Sequence, residues 1–198
     1  MFGTRWMDRS PTRIRFVTTG LSISKMEALL KARLFAKNGV KSDVDAVRLE
    51  KIESGQGLLC DYYEYEGNPA YGYVLPDFST IEPTLTKRVN EIDPERDSRR
   101  DESYGLVYRG YIDLPESGEY AFHLTSDDGA RLVIDGQTIV DDPNKHPIRE
   151  VSGSAMLSKG KHRFELQHFQ HKQRVRIELS YTLPSGTRME VPAEGFSY

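Results

Sequence analysis

From Tyr104 onward the chain repeats one device: short stretches of alternating apolar and polar residues, each cut off by turn-forming residues. Residues 106–112 read as a strand, and the turn cluster Asp113-Leu114-Pro115-Glu116-Ser117-Gly118 ends it. Tyr120, Phe122 and Leu124 then share one face, opposite Glu119, Ala121 and His123. Asp127-Asp128-Gly129 makes a turn, and Leu132 and Ile134 run into Asp135-Gly136, a hairpin signal with a return through Ile139-Val140. Phe164 and Leu166 alternate in a later stretch, and Val175, Ile177, Leu179 and Tyr181 oppose Arg174, Arg176, Glu178 and Ser180. A period of two fits strands with one buried face, and no convincing long helix interrupts the series. The pattern predicts an all-β fold, an antiparallel β-sandwich.

The N-terminal quarter reads as a separate, smaller β-sheet unit. Ile14, Phe16 and Thr18 alternate with Arg13, Arg15 and Val17 until Gly20. Residues 26–36 fit a helical stripe or a strand, and the Asn38-Gly39 turn that follows favours the strand. A return strand is expected near residues 45–52, and Ser54-Gly55-Gln56-Gly57 has linker composition. Two units follow: residues 1–53 and residues 54–198. Within the second, residues 89–103 are almost entirely charged and polar, with both signs interleaved, which predicts a long solvated loop.

Composition narrows the function classes. A formal net charge of −3 gives no electrostatic reason to expect nucleic acid. No apolar run is long enough to cross a bilayer, and residues 1–11 do not read as a signal peptide. The single Cys60 forms no intrachain disulfide, so cysteine usage does not reveal the compartment. The missing signal fits either a cytosolic protein or a piece cut from a longer secreted one, and the abrupt start favours the piece.

Catalytic motifs are not evident: there is no nucleophile elbow, phosphate loop or metalloprotease pattern, and no (β/α)₈ alternation. Asp77, Glu82 and the acids of residues 89–103 are not constrained to a glycosidase pair. His162 and His168 share a strand face but stand about 20 Å apart along it, too far to share a zinc ion; with His171 they read as loop or edge histidines. Asp141-Asp142-Pro143-Asn144 reads as a proline-containing turn. Tyr62, Tyr63, Tyr65, Tyr71 and Tyr73 are candidates for stacking on sugar rings, against a core role that is commoner for alternating aromatics. The sharpest pair is Asp127 and Asp128. Adjacent carboxylates repel unless a cation, hydrogen bonds or solvent offsets the charge, and calcium suits such a set. A simple Asp-Asp-Gly turn is the alternative.

The run from Gly110 through Tyr111-Ile112-Asp113-Leu114-Pro115-Glu116-Ser117-Gly118-Glu119-Tyr120-Ala121-Phe122 resembles the anthrax-protective-antigen-type (PA-fourteen) domain. The likeness continues through Ser126-Asp127-Asp128-Gly129-Ala130-Arg131-Leu132-Val133-Ile134-Asp135-Gly136, with Gly57-Leu58-Leu59-Cys60-Asp61-Tyr62-Tyr63 similar to its opening and Lys159-Gly160-Lys161-His162-Arg163-Phe164-Glu165-Leu166 to its late strand. The resemblance implies an extracellular, periplasmic or cell-surface β-sandwich found in glycosidases, adhesins and toxins. In lectin-like members two adjacent Asp residues, joined by a cis peptide, bind calcium that in turn holds sugar hydroxyls. Carried onto this chain, it implies Ca2+ at Asp127 and Asp128, with Gln170 standing where the lectin-like members supply an Asn, and glycan contacts from Asp127, Asp128, Gln170 and His171. The N-terminal unit is similar to the small sheet module near the C-terminus of chitobiase/β-hexosaminidase-type enzymes, through residues 14–20 and 30–42. Together these imply a non-catalytic module that binds glycan or positions substrate, covalently linked to the catalytic domain of a secreted glycoside hydrolase. A structural spacer or protein-docking sandwich with no ligand of its own is the alternative.

Overall fold

A computed structural model describes residues 55–65, 73–172 and 174–198, together with the backbone of five short strands nearer the N-terminus. The chain divides into two compact units, Met1–Lys51 and Ile52–Tyr198. In the first, β1 (Arg13–Phe16), β2 (Ala28–Leu30), β3 (Ala32–Phe35), β4 (Lys41–Asp43) and β5 (Val47–Leu49) form two antiparallel groups: β1-β3-β4, and β2 with β5. The Asn38-Gly39 turn lies outside the described residues.

The second unit is an antiparallel β-sandwich. Its strands are β6 (Leu58–Glu64), β7 (Leu85–Val89), β8 (Tyr104–Leu114), β9 (Gly118–Asp127), β10 (Ala130–Ile134), β11 (Gln137–Asp142), β12 (Arg149–Leu157), β13 (Gly160–Gln170), β14 (Arg176–Thr182), β15 (Arg188–Glu190) and β16 (Phe196–Ser197). One sheet runs β11-β10-β13-β8-β6-β7, with β16 also on β8; the other runs β12-β9-β14-β15. Alternation does the folding here: β9 buries every second residue, so Tyr120, Phe122 and Leu124 meet Leu106, Tyr108, Leu132, Leu166 and Tyr181 between the sheets. The Asp135-Gly136 hairpin forms as its composition predicts, with φ of 51° and 80° at the two residues joining β10 to β11.

The strand β6 does not alternate, because both of its faces are covered. Tyr62 lies in the inter-sheet core, while Tyr63 lies in a second cluster with Tyr65, Leu75, Phe78, Val107 and Phe169. A 3₁₀ turn at Phe78–Thr80, capped by the Asp77 side chain, brings Phe78 over that face. Gly105 makes room for it, since a Cβ there would stand 2.5 Å from the Phe78 ring.

Two expectations need correction. Residues 89–103 are not a solvated loop throughout: Val89 is buried, and Pro94–Asp97 form a short helix, α1, capped by Asp93. Asp97 is buried because Tyr108 OH donates to its Oδ2 at 2.9 Å and Lys87 Nζ lies 2.8 Å from Oδ1. Both partners lie on strands, so the local charge pattern gave no sign of this. Nor is the segment after Asp141 a simple turn. Asp141 and Asp142 finish β11, and the next residues pair with an upstream segment, Lys145 N–H donating to Tyr73 O and Leu75 N–H to Pro143 O.

The expected linker is also tied down at its end. Gly57 N–H donates to Phe196 O and Tyr198 N–H to Gly55 O, fastening the entry of the sandwich to its exit.

Candidate functional site

Three links between the sheets lie side by side at one end of the sandwich. Asp127 ends β9 in one sheet and Ala130 begins β10 in the other, so the Asp128-Gly129 step crosses between them. The segment after Gln170 makes a second crossing, from β13 to β14, and residues 143–148 make a third, from β11 to β12. Strand register sets them together: Ala130 pairs with His168 and Asp142, Asp127 with Arg176, and Ser126 with Arg149. The two acids and the residues around Gln170 are thus neighbours by topology.

The peptide bond between Asp127 and Asp128 is cis. Asp128 is 2% exposed, and its Oδ2 accepts from His171 N–H at 2.8 Å. Asp127 is half-buried; burial, and then the charge of Asp128, raises its pKa, against which His146, the Ile148 backbone N–H and Lys145 act. Gly129 is needed for closeness: a Cβ there would stand 2.5 Å from the Phe169 ring and 2.9 Å from the carbonyl oxygens of Asn144 and Asp142.

Gln170 is wholly buried, and its Nε2 donates to the carbonyl oxygens of Lys172 at 3.0 Å and Arg174 at 3.2 Å. Those bonds show two backbone carbonyls converging on the Gln170 carboxamide. The Asp128 carboxylate lies next to this loop through the His171 N–H, so carboxylate, carboxamide and backbone carbonyl oxygens belong to the same junction, the two carbonyls being engaged by the Gln170 amide nitrogen. Among the described residues no three His, Cys, Asp or Glu side chains form a metal-holding group, so any cation here draws on amide and backbone oxygens as well. Such a hard, mixed oxygen set fits calcium and not zinc.

The histidines sit differently from expectation. His162 and His168 are buried, not loop or edge residues. His162 Nδ1 lies 2.6 Å from Asp135 Oδ2; burial opposes its protonation, but bonds to Asp135 and the Ser158 backbone raise its pKa overall. His168 Nε2 bonds Asp127 O at 3.0 Å from beneath, and burial pushes its pKa down to about 4. His171 lies at the rim, where burial and then the charge of Lys145 lower its pKa.

Of the tyrosines, Tyr62, Tyr63 and Tyr65 are core residues. Tyr71 lies outside the described residues. Tyr73 is 61% exposed, with its ring centroid 5.2 Å from that of His171 and 5.3 Å from Lys145 Nζ. The sequence placed Tyr73 in a list of five and gave no sign of Lys145. Both reach the rim through the pairing of Tyr73 and Leu75 with the crossing after β11. A non-local pairing of that kind leaves no periodic trace. Beside it, Asp142 accepts from both Nε and Nη2 of Arg149, and His146 Nε2 lies 2.9 Å from Asp142 Oδ2.

A sandwich that gathers carboxylates, carbonyls and an exposed aromatic ring at one end has the build of a ligand-binding module. The PA14 domain family matches residues 56–195, and the chain belongs to that family. The anti-sigma-I factor RsgI3 of Acetivibrio thermocellus is 24% identical over 141 residues, 71% of this chain but 21% of that protein. The chain therefore spans about a fifth of that curated relative. Among solved structures, a PA14 sugar-binding domain from an RTX adhesin superposes with a TM-score of 0.61 at 17% identity, covering 73% of this chain and 99% of the adhesin domain. An anti-sigma factor domain-containing protein from Clostridium clariflavum gives 0.58 at 21% identity, covering 85% of this chain and 60% of the other. At these identities the solved structures show a shared fold. No helix among the described residues is long and apolar enough to cross a membrane.

Proposed function

We propose that this chain is a non-catalytic saccharide-binding module of a larger protein, and that it binds its ligand through calcium at the junction of the three crossings. The observation that carries the reading is the adjacent pair of carboxylates, Asp127 and Asp128, set against the loop that follows Gln170 by the bond from His171 N–H to Asp128 Oδ2. Calcium bound there supplies open coordination positions for a pair of sugar hydroxyls. The protein's own groups then orient the ligand. Tyr73 offers an exposed ring against which a sugar can stack, and His171, in ring contact with Tyr73, closes the rim. The RTX adhesin relative is a sugar-binding domain, which supports the ligand class.

The host protein is part of the proposal. A secreted or surface-exposed glycoside hydrolase is the host implied by the N-terminal resemblance. The anti-sigma relatives, one of which covers 85% of this chain, favour a second kind of host, a regulatory protein that senses saccharide. In either host the module supplies recognition and no catalytic residue.

The test is a screen of the purified chain on a broad array of glycans, with calcium and then with a chelator. Retention of some glycans only in calcium is the expected result. Equal retention under both conditions overturns the calcium arm, and no retention at all overturns the saccharide reading in favour of a structural spacer.

A further inference from the structure

The charge of the rim goes beyond a generic sugar site. Tyr73, Lys145 and His171 meet at the rim of this junction, on the segment before β7 and on two of the three crossings, and Lys172 and Arg174 follow His171 on the second of them. Lys145, Lys172 and Arg174 are exposed, and among the described residues none of the three takes part in an ion pair. Elsewhere in the sandwich some exposed arginines are paired, Arg188 with Glu150, Arg176 with Glu178 and Arg96 with Glu91, while Arg88, Arg99 and Arg163 take part in no ion pair among the described residues. Lys145 is fixed from two directions, its backbone N–H bonded to Tyr73 O and its ammonium held 5.3 Å from the centroid of the Tyr73 ring. The Tyr73 ring that it meets is itself in contact with the His171 ring, which places the ammonium at the mouth of the site. Lys145 and Lys172 both act on His171, against Asp128 and Glu102. Calcium, were it bound, would offset the Asp127 and Asp128 carboxylates and leave the two lysines against Glu102 there.

We propose that the saccharide bound here is acidic, a hexuronate whose ring stacks on Tyr73 while its carboxylate meets Lys145. The inference rests on the saccharide reading above and specifies the ligand class at that same site. A neutral hexose uses the calcium and the aromatic ring but leaves the Lys145 ammonium without a partner. A uronate uses all three, and the added pairing is sensitive to salt because it is partly exposed.

The full chain in calcium is titrated calorimetrically with trimers of galacturonate, glucuronate and mannuronate, with their methyl esters, and with neutral hexose trimers. At least one acidic trimer is expected to bind about fivefold more tightly than its own methyl ester, the scale of a partly exposed charge pair. Lys145→Ala is expected to remove that preference while leaving the thermal midpoint in calcium unchanged, and added salt to narrow it. Tyr73→Ala is expected to weaken acid and ester alike. Equal binding of acids and esters, or an unchanged preference in Lys145→Ala, overturns the acidic-ligand inference and leaves the saccharide reading standing. Binding of no trimer in any arm overturns both.

Discussion

Asp142 shows how a single carboxylate ties the site to the sandwich. Its hydrogen bonds with Arg149 hold its pKa below the ordinary carboxylate value, with burial acting against them and His146 in support. A carboxyl depressed in the folded state contributes stability that is fully present above its unfolded pKa, near 3.8. That contribution is lost as pH falls through the lower folded value. Asp142→Asn is therefore expected to be less stable than the wild type at neutral pH, with the gap closing below about pH 4. Urea titrations at a series of pH values measure this, and a gap that widens on acidification contradicts it. Gly129 makes a different case. The sequence offers it as a turn glycine, but it is required because Phe169 and two carbonyl oxygens crowd its α-carbon. Gly129→Ala should cost about 1–3 kcal/mol through overpacking, read from the denaturation midpoint.

Among the elements, those with one buried face were legible in advance. The strands β9, β13 and β14 each carry alternating apolar residues and are present where the alternation runs, whereas β8 is buried on both faces over Tyr104–Tyr108. Elements stabilised from a distance were not legible. The helix α1 owes the burial of Asp97 to Tyr108 and Lys87, and β6 owes the burial of Tyr63, on its outer face, to the Phe78 turn that covers it. The same holds at the candidate site. Asp127 and Asp128 stand out as adjacent acids in the sequence, and Gln170 is picked out only by the family resemblance. Lys145 is visible only once the crossing after β11 is seen to pair with Tyr73. Two substitutions separate the roles of these elements. Phe78→Ala empties the second apolar cluster and is expected to destabilise the sandwich by about 3 kcal/mol or more. Tyr73→Ala removes an exposed ring and should change stability by no more than about 0.5 kcal/mol while weakening saccharide binding. Thermal denaturation of both variants, with binding measured on Tyr73→Ala, checks the contrast.

For the molecule as a whole, the sandwich acts as a rigid frame for three short crossings. Two packed sheets fix the ends of β9, β11 and β13, and the loops between them can then bring oxygens together that are far apart in sequence. The central claim is that this junction is a calcium site. The measurement that tests it most directly is the thermal midpoint of the purified chain in calcium and in chelator, repeated on Asp128→Asn. Calcium at about 100 times its dissociation constant adds about 2.7 kcal/mol, which for a unit of this size raises the midpoint by about 5 °C or more. The account predicts that rise in the wild type and its loss in Asp128→Asn. An identical midpoint in calcium and chelator would contradict it, leaving Asp127-Asp128-Gly129 as a turn held by protein hydrogen bonds alone.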